Sequence, residues 1–197
     1  MNAPLGVILA GGQATRMGGG DKGLRVLGGQ TILSRVIDRL SPQVAGLVLN
    51  ANGDPARFSD YGLPVVADSV AGFAGPLAGV LAGMDWAAQH RAETIVTAAA
   101  DTPFFPSDLV PRLQLAAEGM EHPLVLAASP DGRHPTFGLW PVALRDDLRA
   151  ALQDGLRKVV LWTDTHGGRI AEFPGSTPDP FFNVNTPEDL AQAERWI

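Results

Sequence analysis

Along the chain, short unbroken apolar runs alternate with stretches whose apolar positions recur every three or four residues. Gly6-Val-Ile-Leu-Ala10 is such a run and ends in Gly11-Gly12, the pattern of a strand buried on both faces that feeds a glycine-rich turn. Leu33, Val36, Ile37 and Leu40 fall at i, i+3, i+4 and i+7, one face of an amphipathic helix that Ser41-Pro42 ends. The runs Val44 to Leu49 and Leu63 to Ala67 read as strands that close on the polar residues Asn50 and Asp68. Leu77, Val80, Leu81 and Met84 repeat the helical spacing after Gly75-Pro76, and Thr94 to Ala100 reads as a strand closing on Asp101. Further on, Pro106-Ser107-Asp108 opens a helix to about Glu118. Strands are expected at Pro123 to Ala128, Phe137 to Trp140 and Ile170 to Phe173, and helices over Val142 to Leu152 and Arg157 to Thr165. In the last helix Thr186 is the expected N-cap, Pro187 sits where its missing N–H costs nothing, and Asp189 completes a capping box. Strands that alternate with helices in this way imply right-handed crossovers, so the class is α/β with a mainly parallel sheet.

At 197 residues, 45% of them hydrophobic, the chain has the length of one domain, and a chain of this size buries about 70% of its unfolded surface. It contains no cysteine, which excludes a disulfide framework, a thiolate metal site and a cysteine nucleophile. No basic segment precedes an apolar run near Met1 and nowhere do 18 apolar residues run together, so the expected location is the cytoplasm. A net charge of −6 argues against nucleic-acid or anionic-membrane partners, which need a basic patch. The average conceals an asymmetry: residues 1–40 carry Arg16, Lys22, Arg25, Arg35 and Arg39 against Asp21 and Asp38 only. A small anionic ligand belongs there.

The segment Leu9-Ala-Gly-Gly-Gln-Ala-Thr-Arg16-Met-Gly-Gly-Gly-Asp21-Lys22-Gly23-Leu24 follows the first strand. Glycines let the backbone approach a ligand and point N–H groups at phosphate oxygens, while Arg16 and Lys22 supply countercharge. Only two of the 15 Lys and Arg residues are lysines, Lys22 and Lys158, so a compact ammonium at position 22 stands against the compositional bias. Two motif matches fail. Gly18-Gly-Gly20-Asp-Lys-Gly23 has the letters of a dinucleotide fingerprint but starts eight residues past Ala10, and Lys22 lacks the Ser or Thr that follows the lysine of a Walker loop. Asp101 closes a strand, where open α/β sheets bind ligands, and a carboxylate there holds Mg²⁺ against phosphates or caps a turn. Asn50 and Asp68 stand at two other strand ends. Alone, each is more often a turn residue. In Asn183-Val184-Asn185 the alternation puts both amides on one side of an extended segment with Val184 toward the core. His90, His122, His134 and His166 show no zinc-ligand spacing, and the four tryptophans are expected in the core or at its rim.

Taken in order, Leu9-Ala-Gly-Gly, Arg16-Met-Gly-Gly, Asp21-Lys22-Gly-Leu, Gly75-Pro-Leu-Ala-Gly, Ala100-Asp101-Thr-Pro and Asn183-Val-Asn-Thr-Pro-Glu resemble the molybdenum cofactor guanylyltransferase family of nucleotidyltransferases. The blocks span nearly the whole chain. The resemblance implies a single three-layer Rossmann-like domain over residues 1–197, with its nucleotide-binding part at about 1–105 and its acceptor-binding part at about 106–197. It assigns Lys22, Arg16 and Asp101 to catalysis, and Leu9, Ala10, Gly11, Gly12, Lys22, Asn50, Asp68 and Asp101 to GTP. Asn183 and Asn185 go to the acceptor side, and Asp101 to Mg²⁺, the implied cofactor. His134-Pro135-Thr136 resembles a family segment near the acceptor. The implied reaction moves GMP from GTP to the phosphate of Mo-molybdopterin and releases pyrophosphate. The substrates are then GTP and Mo-molybdopterin, the implied state is a monomer, and transient contact with pterin-delivering and molybdoenzyme-maturation proteins is implied too. The sister cytidylyltransferases resemble Leu-Ala-Ala-Gly, so the second glycine of Leu9-Ala-Gly-Gly favours guanine. A cytidylyl- or sugar-phosphate nucleotidyltransferase, and a GTP-sensing module without turnover, are the competing readings.

Overall fold

The computed structural model describes residues 2–11, 21–70, 72 and 75–197. Gly12, Arg16 and the glycines at 18–20 lie outside the described residues. Nine strands and six helices follow in chain order among them: β1 (Leu5–Leu9), β2 (Val26–Leu27), β3 (Gln30–Thr31), α1 (Ile32–Leu40), β4 (Leu47–Asn50), β5 (Val65–Val66), α2 (Pro76–Gln89), β6 (Thr94–Ala99), α3 (Leu109–Ala116), β7 (Val125–Ser129), β8 (Gly132–Pro141), α4 (Arg145–Gln153), α5 (Val159–Thr165), β9 (Arg169–Glu172) and α6 (Pro187–Ala193). None of these helices is long and apolar enough to cross a membrane.

Seven strands form one sheet in the order β5-β4-β1-β6-β8-β7-β9. Every neighbouring pair is parallel except those made by β8, which runs antiparallel to both β6 and β7. The expectation of an α/β fold with a mainly parallel sheet holds. Alternation along the strands sorts side chains between two apolar layers. Ile8, Leu49, Val96 and Leu139 face one side with α1 and α3, whereas Val7, Val48, Ile95 and Trp140 face the other with α2, α4 and α5. Buried Trp140 is satisfied by donating Nε1–H to Thr97 Oγ1 at 2.9 Å. Leu27, Ile32, Val184 and Ala193 form a third cluster, with Phe104, Phe182 and Trp196 against it. It ties the β2–β3 hairpin to the C-terminal segment.

Two expected strands start elsewhere than expected, and one hairpin is additional. The strand expected from Val44 starts at Leu47, since Ser41–Gln43 take a 3₁₀ turn around Pro42 and residues 44–46 only graze the sheet, through Ala45 N–H to Pro4 O and Gly6 N–H to Gly46 O. β8 begins five residues before the expected Phe137. Its pairing with β7 jumps from Ala127↔His134 to Leu126↔Gly138, so Pro135, which has no N–H for the ladder, sits in a bulge that hides the first half of the strand from a periodicity reading. The β2–β3 hairpin was not foreseen; its two-residue strands flank Gly28 and Gly29, both at positive φ. It leads directly into α1, where Thr31 Oγ1 accepts the Ser34 N–H at 3.1 Å as N-cap. Thr186 and Asp189 form the full capping box at the start of α6.

Candidate active site

From β1 the chain passes to β4 and β5 on one side and later to β6 on the other, so β1 and β6 flank a topological switch point. The crevice beyond the carboxyl ends of such strands is where open α/β sheets bind ligands. Three strand ends meet there in register: Ala10 N–H donates to Asn50 O at 2.9 Å and Ala100 N–H to Leu9 O at 3.0 Å. Asn50, Leu9-Ala10 and Ala100-Asp101 therefore stand side by side across two strand spacings, about 10 Å. A pocket opens here, lined by Leu9, Ala10, Lys22, Gly23, Ala100 and Asp101, with Phe58 beneath.

On the β6 side Lys22 Nζ lies 3.6 Å from Asp101 Oδ2 and donates to Asn185 Oδ1 at 2.6 Å. The segment that carries Asn185 is fixed by Val184 N–H donating to Asp101 O at 2.8 Å, with the Val184 side chain fully buried. Asn183 Oδ1 accepts from Thr102 Oγ1 at 2.5 Å. The two amides project on the site side and Val184 inward, as the alternation predicts. Burial raises the Asp101 carboxyl above the ordinary carboxylate value, opposed chiefly by the charge of Lys22 and then by hydrogen bonds to its own backbone, Lys22 and Thr102. The oxygens gathered around it, from Asp101, Asn183 and Asn185, are hard donors. Among the described residues no three His, Asp or Glu side chains converge on a common point.

On the β4 side Asn50 Nδ2 donates to Asp68 Oδ1 at 3.0 Å and to Val66 O at 3.3 Å. Asn52 clamps the same aspartate twice, through Nδ2 to Asp68 Oδ2 at 2.8 Å and from Asp68 N–H to Asn52 Oδ1 at 2.9 Å. Gly79 on α2 completes the fit: a Cβ there would stand 2.3 Å from Asn50 Oδ1 and 2.9 Å from Leu9 Cδ2. Helix propensity alone gains about 1 kcal/mol from Gly→Ala in a helix interior, but here the added methyl must displace Asn50. Gly79→Ala is therefore expected to destabilise the fold by about 1 kcal/mol, the worth of one displaced Asn50 hydrogen bond. Thermal melting checks it, and an unchanged melting temperature would show that Asn50 yields to the methyl without losing its partners.

The sequence-predicted residues thus fall into one crevice, Lys22, Asp101, Asn183 and Asn185 at one end and Asn50 and Asp68 at the other, with Leu9, Ala10 and Gly11 at the β1 end between them. Gly12 and Arg16 are not described. Four polar residues of the crevice were not foreseen: Asn52, Thr102, Asp21 and Arg57. Asn50-Ala51-Asn52 has the same alternation as Asn183-Val184-Asn185, and that signal could have found Asn52. His134 lies on β8, its Nε2 2.8 Å from Ser129 Oγ and its ring stacked on Phe181 at 4.0 Å. Burial holds it below the usual histidine range, as a packed, neutral side chain.

A lysine-carboxylate pair at the switch point of a mainly parallel sheet, where open α/β folds bind their ligands, marks this as a ligand-binding α/β protein. Residues 6–166 match the family model described as the MobA-like NTP transferase domain, and the chain belongs to that family. It is 57% identical over 193 residues to a molybdenum cofactor guanylyltransferase of Bradyrhizobium sp. (strain ORS 278), covering 96% of this chain and 91% of that protein. It is 56% identical over 195 residues to a protein of the same name from Rhodopseudomonas palustris (strain HaA2), covering 98% and 91%. The fold is shared with the crystal structure of molybdopterin-guanine dinucleotide biosynthesis protein A from Archaeoglobus fulgidus, at a TM-score of 0.74 and 24% identity, over 98% of this chain and 97% of that one.

Proposed function

We propose that the protein transfers GMP from GTP to the terminal phosphate of Mo-molybdopterin, releasing pyrophosphate and forming the guanine dinucleotide form of the cofactor. The observation that carries this reading is the junction of Lys22, Asp101 and Asn185 at the crevice between β1 and β6, in a chain more than half identical to guanylyltransferases of that name. The chemistry asks little of general acids and bases. A phosphomonoester has a second pKa near 6, so the acceptor is already largely a dianion at neutral pH. One of its oxygens forms the new bond to the α-phosphorus while the bond to the bridging oxygen breaks and that electron pair leaves with pyrophosphate. What remains for the protein is in-line placement and neutralisation of charge.

Each end of the crevice has a part in this. Asn50 and Asp68 hold the nucleoside, the backbone at Leu9, Ala10, Gly11 and Gly12 approaches the triphosphate, and Lys22 with Arg16 neutralises it. Asn183 and Asn185 face the acceptor. Asp101 is the residue that would hold Mg²⁺: a carboxylate with amide oxygens of the Asn183–Asn185 segment nearby suits a hard cation, and Mg²⁺ commonly takes one or two carboxylates and fills its shell with phosphate oxygens and water. When bound there, the ion supplies further neutralisation of the phosphate charge. The protein is expected to act as a monomer in the cytoplasm, with transient contacts to the proteins that deliver the pterin and receive the product.

The reading is tested by pyrophosphate release with Mo-molybdopterin and Mg²⁺, GTP being compared with CTP and ATP at equal concentration. Turnover with GTP alone supports it. Turnover with CTP would move the protein to the sister activity, and GTP binding without turnover would point to a sugar-phosphate acceptor or a sensor. Chelation that leaves the rate unchanged would remove Mg²⁺ from the scheme.

A further inference from the structure

The two ends of the crevice come from separate stretches of chain, and one side chain joins them. Arg57 sits in a 3₁₀ helix, Pro55–Tyr61, whose start is fixed by Asp54 Oδ1 accepting the Ala56 N–H at 2.9 Å and by Pro55 in the first turn. From this seat its Nε donates to Asp21 Oδ2 at 2.6 Å, adjacent in sequence to Lys22. Its Nη2 donates to Asn52 O at 2.6 Å and its Nη1 to Asp54 O at 2.5 Å. The guanidinium lies 4.5 Å from the ring centroid of Phe58, the buried side chain beneath the pocket. Both members of the ion pair are largely covered, with side-chain exposures of 28% for Arg57 and 19% for Asp21. Asn52, held by Arg57 through its carbonyl, is the residue whose amide clamps Asp68.

We infer that Arg57 is a positioning residue that fixes the Lys22 segment relative to the Asn50–Asn52–Asp68 group, so that a nucleotide seated by its nucleoside meets Lys22 at the right place. This rests on the reading of the crevice as a GTP site. The fork geometry of a guanidinium is what the role requires, because three acceptors on two segments are reached at once from one rigid plane. The two ties have different consequences. The tie to Asp21 concerns the phosphate end and the tie to Asn52 the nucleoside end. A residue acting through such a unit should show non-additive effects when its partner is also removed.

The experiment uses the full chain with GTP, Mo-molybdopterin and Mg²⁺, and compares Asp21→Ala, Arg57→Ala, Arg57→Lys and the double variant Asp21→Ala/Arg57→Ala. Thermal melting and calorimetric titration with GTP alone are run on each. Asp21→Ala is expected to lower kcat about tenfold and to leave the KM for GTP within about twofold, a loss of about 1.4 kcal/mol in placement of Lys22. Arg57→Ala should lower kcat by the same factor and in addition raise KM and the GTP dissociation constant about tenfold. The double variant should match Arg57→Ala. Arg57→Lys, able to meet Asp21 but not all three acceptors, should recover kcat and not KM. Losses that multiply in the double variant would overturn the inference, as would a melting change in Arg57→Ala with kcat, KM and GTP affinity all within twofold of the parent. If the unmodified protein binds GTP without releasing pyrophosphate, the proposed function fails by itself. The strut is then decided on GTP affinity, weakened about tenfold in Arg57→Ala and far less in Asp21→Ala if it exists, equal to the parent in both if it does not.

Discussion

Replacing Asp101 with asparagine is expected to cut pyrophosphate release from GTP about 10²-fold or more and, at neutral pH, to raise the melting temperature. The two effects share a cause. Burial lifts the Asp101 carboxyl above its ordinary value even with Lys22 beside it, so the folded protein disfavours the ionised form that neutral pH imposes. A carboxyl raised in the folded state contributes stability that is full below the ordinary value and is lost as pH rises through the raised one. Asparagine escapes that loss. The melting gap between variant and parent should therefore close as pH falls below the ordinary carboxylate range, and calorimetry from pH 3 to pH 8 checks the sign. The same raised value moves the acid limb of the activity profile upward, since the ionised carboxylate is the form that holds a cation. A variant with undiminished turnover would remove Asp101 from the site, and a melting temperature that falls at neutral pH would show that the carboxylate is held for structure.

Lys22→Met carries the second large expected loss, again about 10²-fold in rate by analogy with removal of one electrostatic stabiliser elsewhere. Its ammonium is the strongest influence opposing burial at Asp101, and it donates to Asn185 Oδ1 at the same end of the crevice. The variant therefore loses countercharge for phosphate, pushes the Asp101 carboxyl further upward and frees Asn185. Its residual activity should show an acid limb displaced to higher pH than that of the parent, which a loss of folding alone would not produce. Lys22→Arg is not expected to rescue it: the longer planar fork cannot occupy the place of an ammonium held 2.6 Å from one oxygen and 3.6 Å from another. Full activity in Lys22→Arg would show that any cation near the crevice suffices.

Much of this arrangement was legible from the chain because the elements that build it are strongly patterned. The apolar run before Gly11, the helical spacing of α1 and α2 and the capping box at Thr186 each satisfy one rule without competition. Strand ends then marked Asn50, Asp68 and Asp101 as candidates, as parallel sheets place ligands beyond the carboxyl ends of their strands, and the resemblance to the family assigned them. What escaped notice depends on contacts between distant segments. Arg57 sits in a polar stretch with no periodicity, and nothing local marks its tie to Asp21, 36 residues earlier. Thr102 matters only because the chain returns to lay Asn183 against it, 81 residues later. Gly79 reads as a helix-weakening residue until Asn50 is seen to fill the space of its missing side chain. The first five residues of β8 escaped through Pro135, whose bulge interrupts the alternation on which strand detection depends.

The bond from Lys22 to Asn185 spans 163 residues of sequence. On the ribosome, domains generally take shape from the amino end as synthesis proceeds at about 5–20 residues per second, and β1, β4 and β6 can pair well before Asn185 emerges. The lysine nonetheless lacks its amide partner, and the β2–β3 hairpin lacks Val184 and Ala193 beneath it, until residues 183–193 have left the exit tunnel. Closure of the Lys22 junction thus comes well after the sheet that frames it. A nascent chain arrested before Phe181 would hold nearly all of the sheet and none of the Asn183–Asn185 segment.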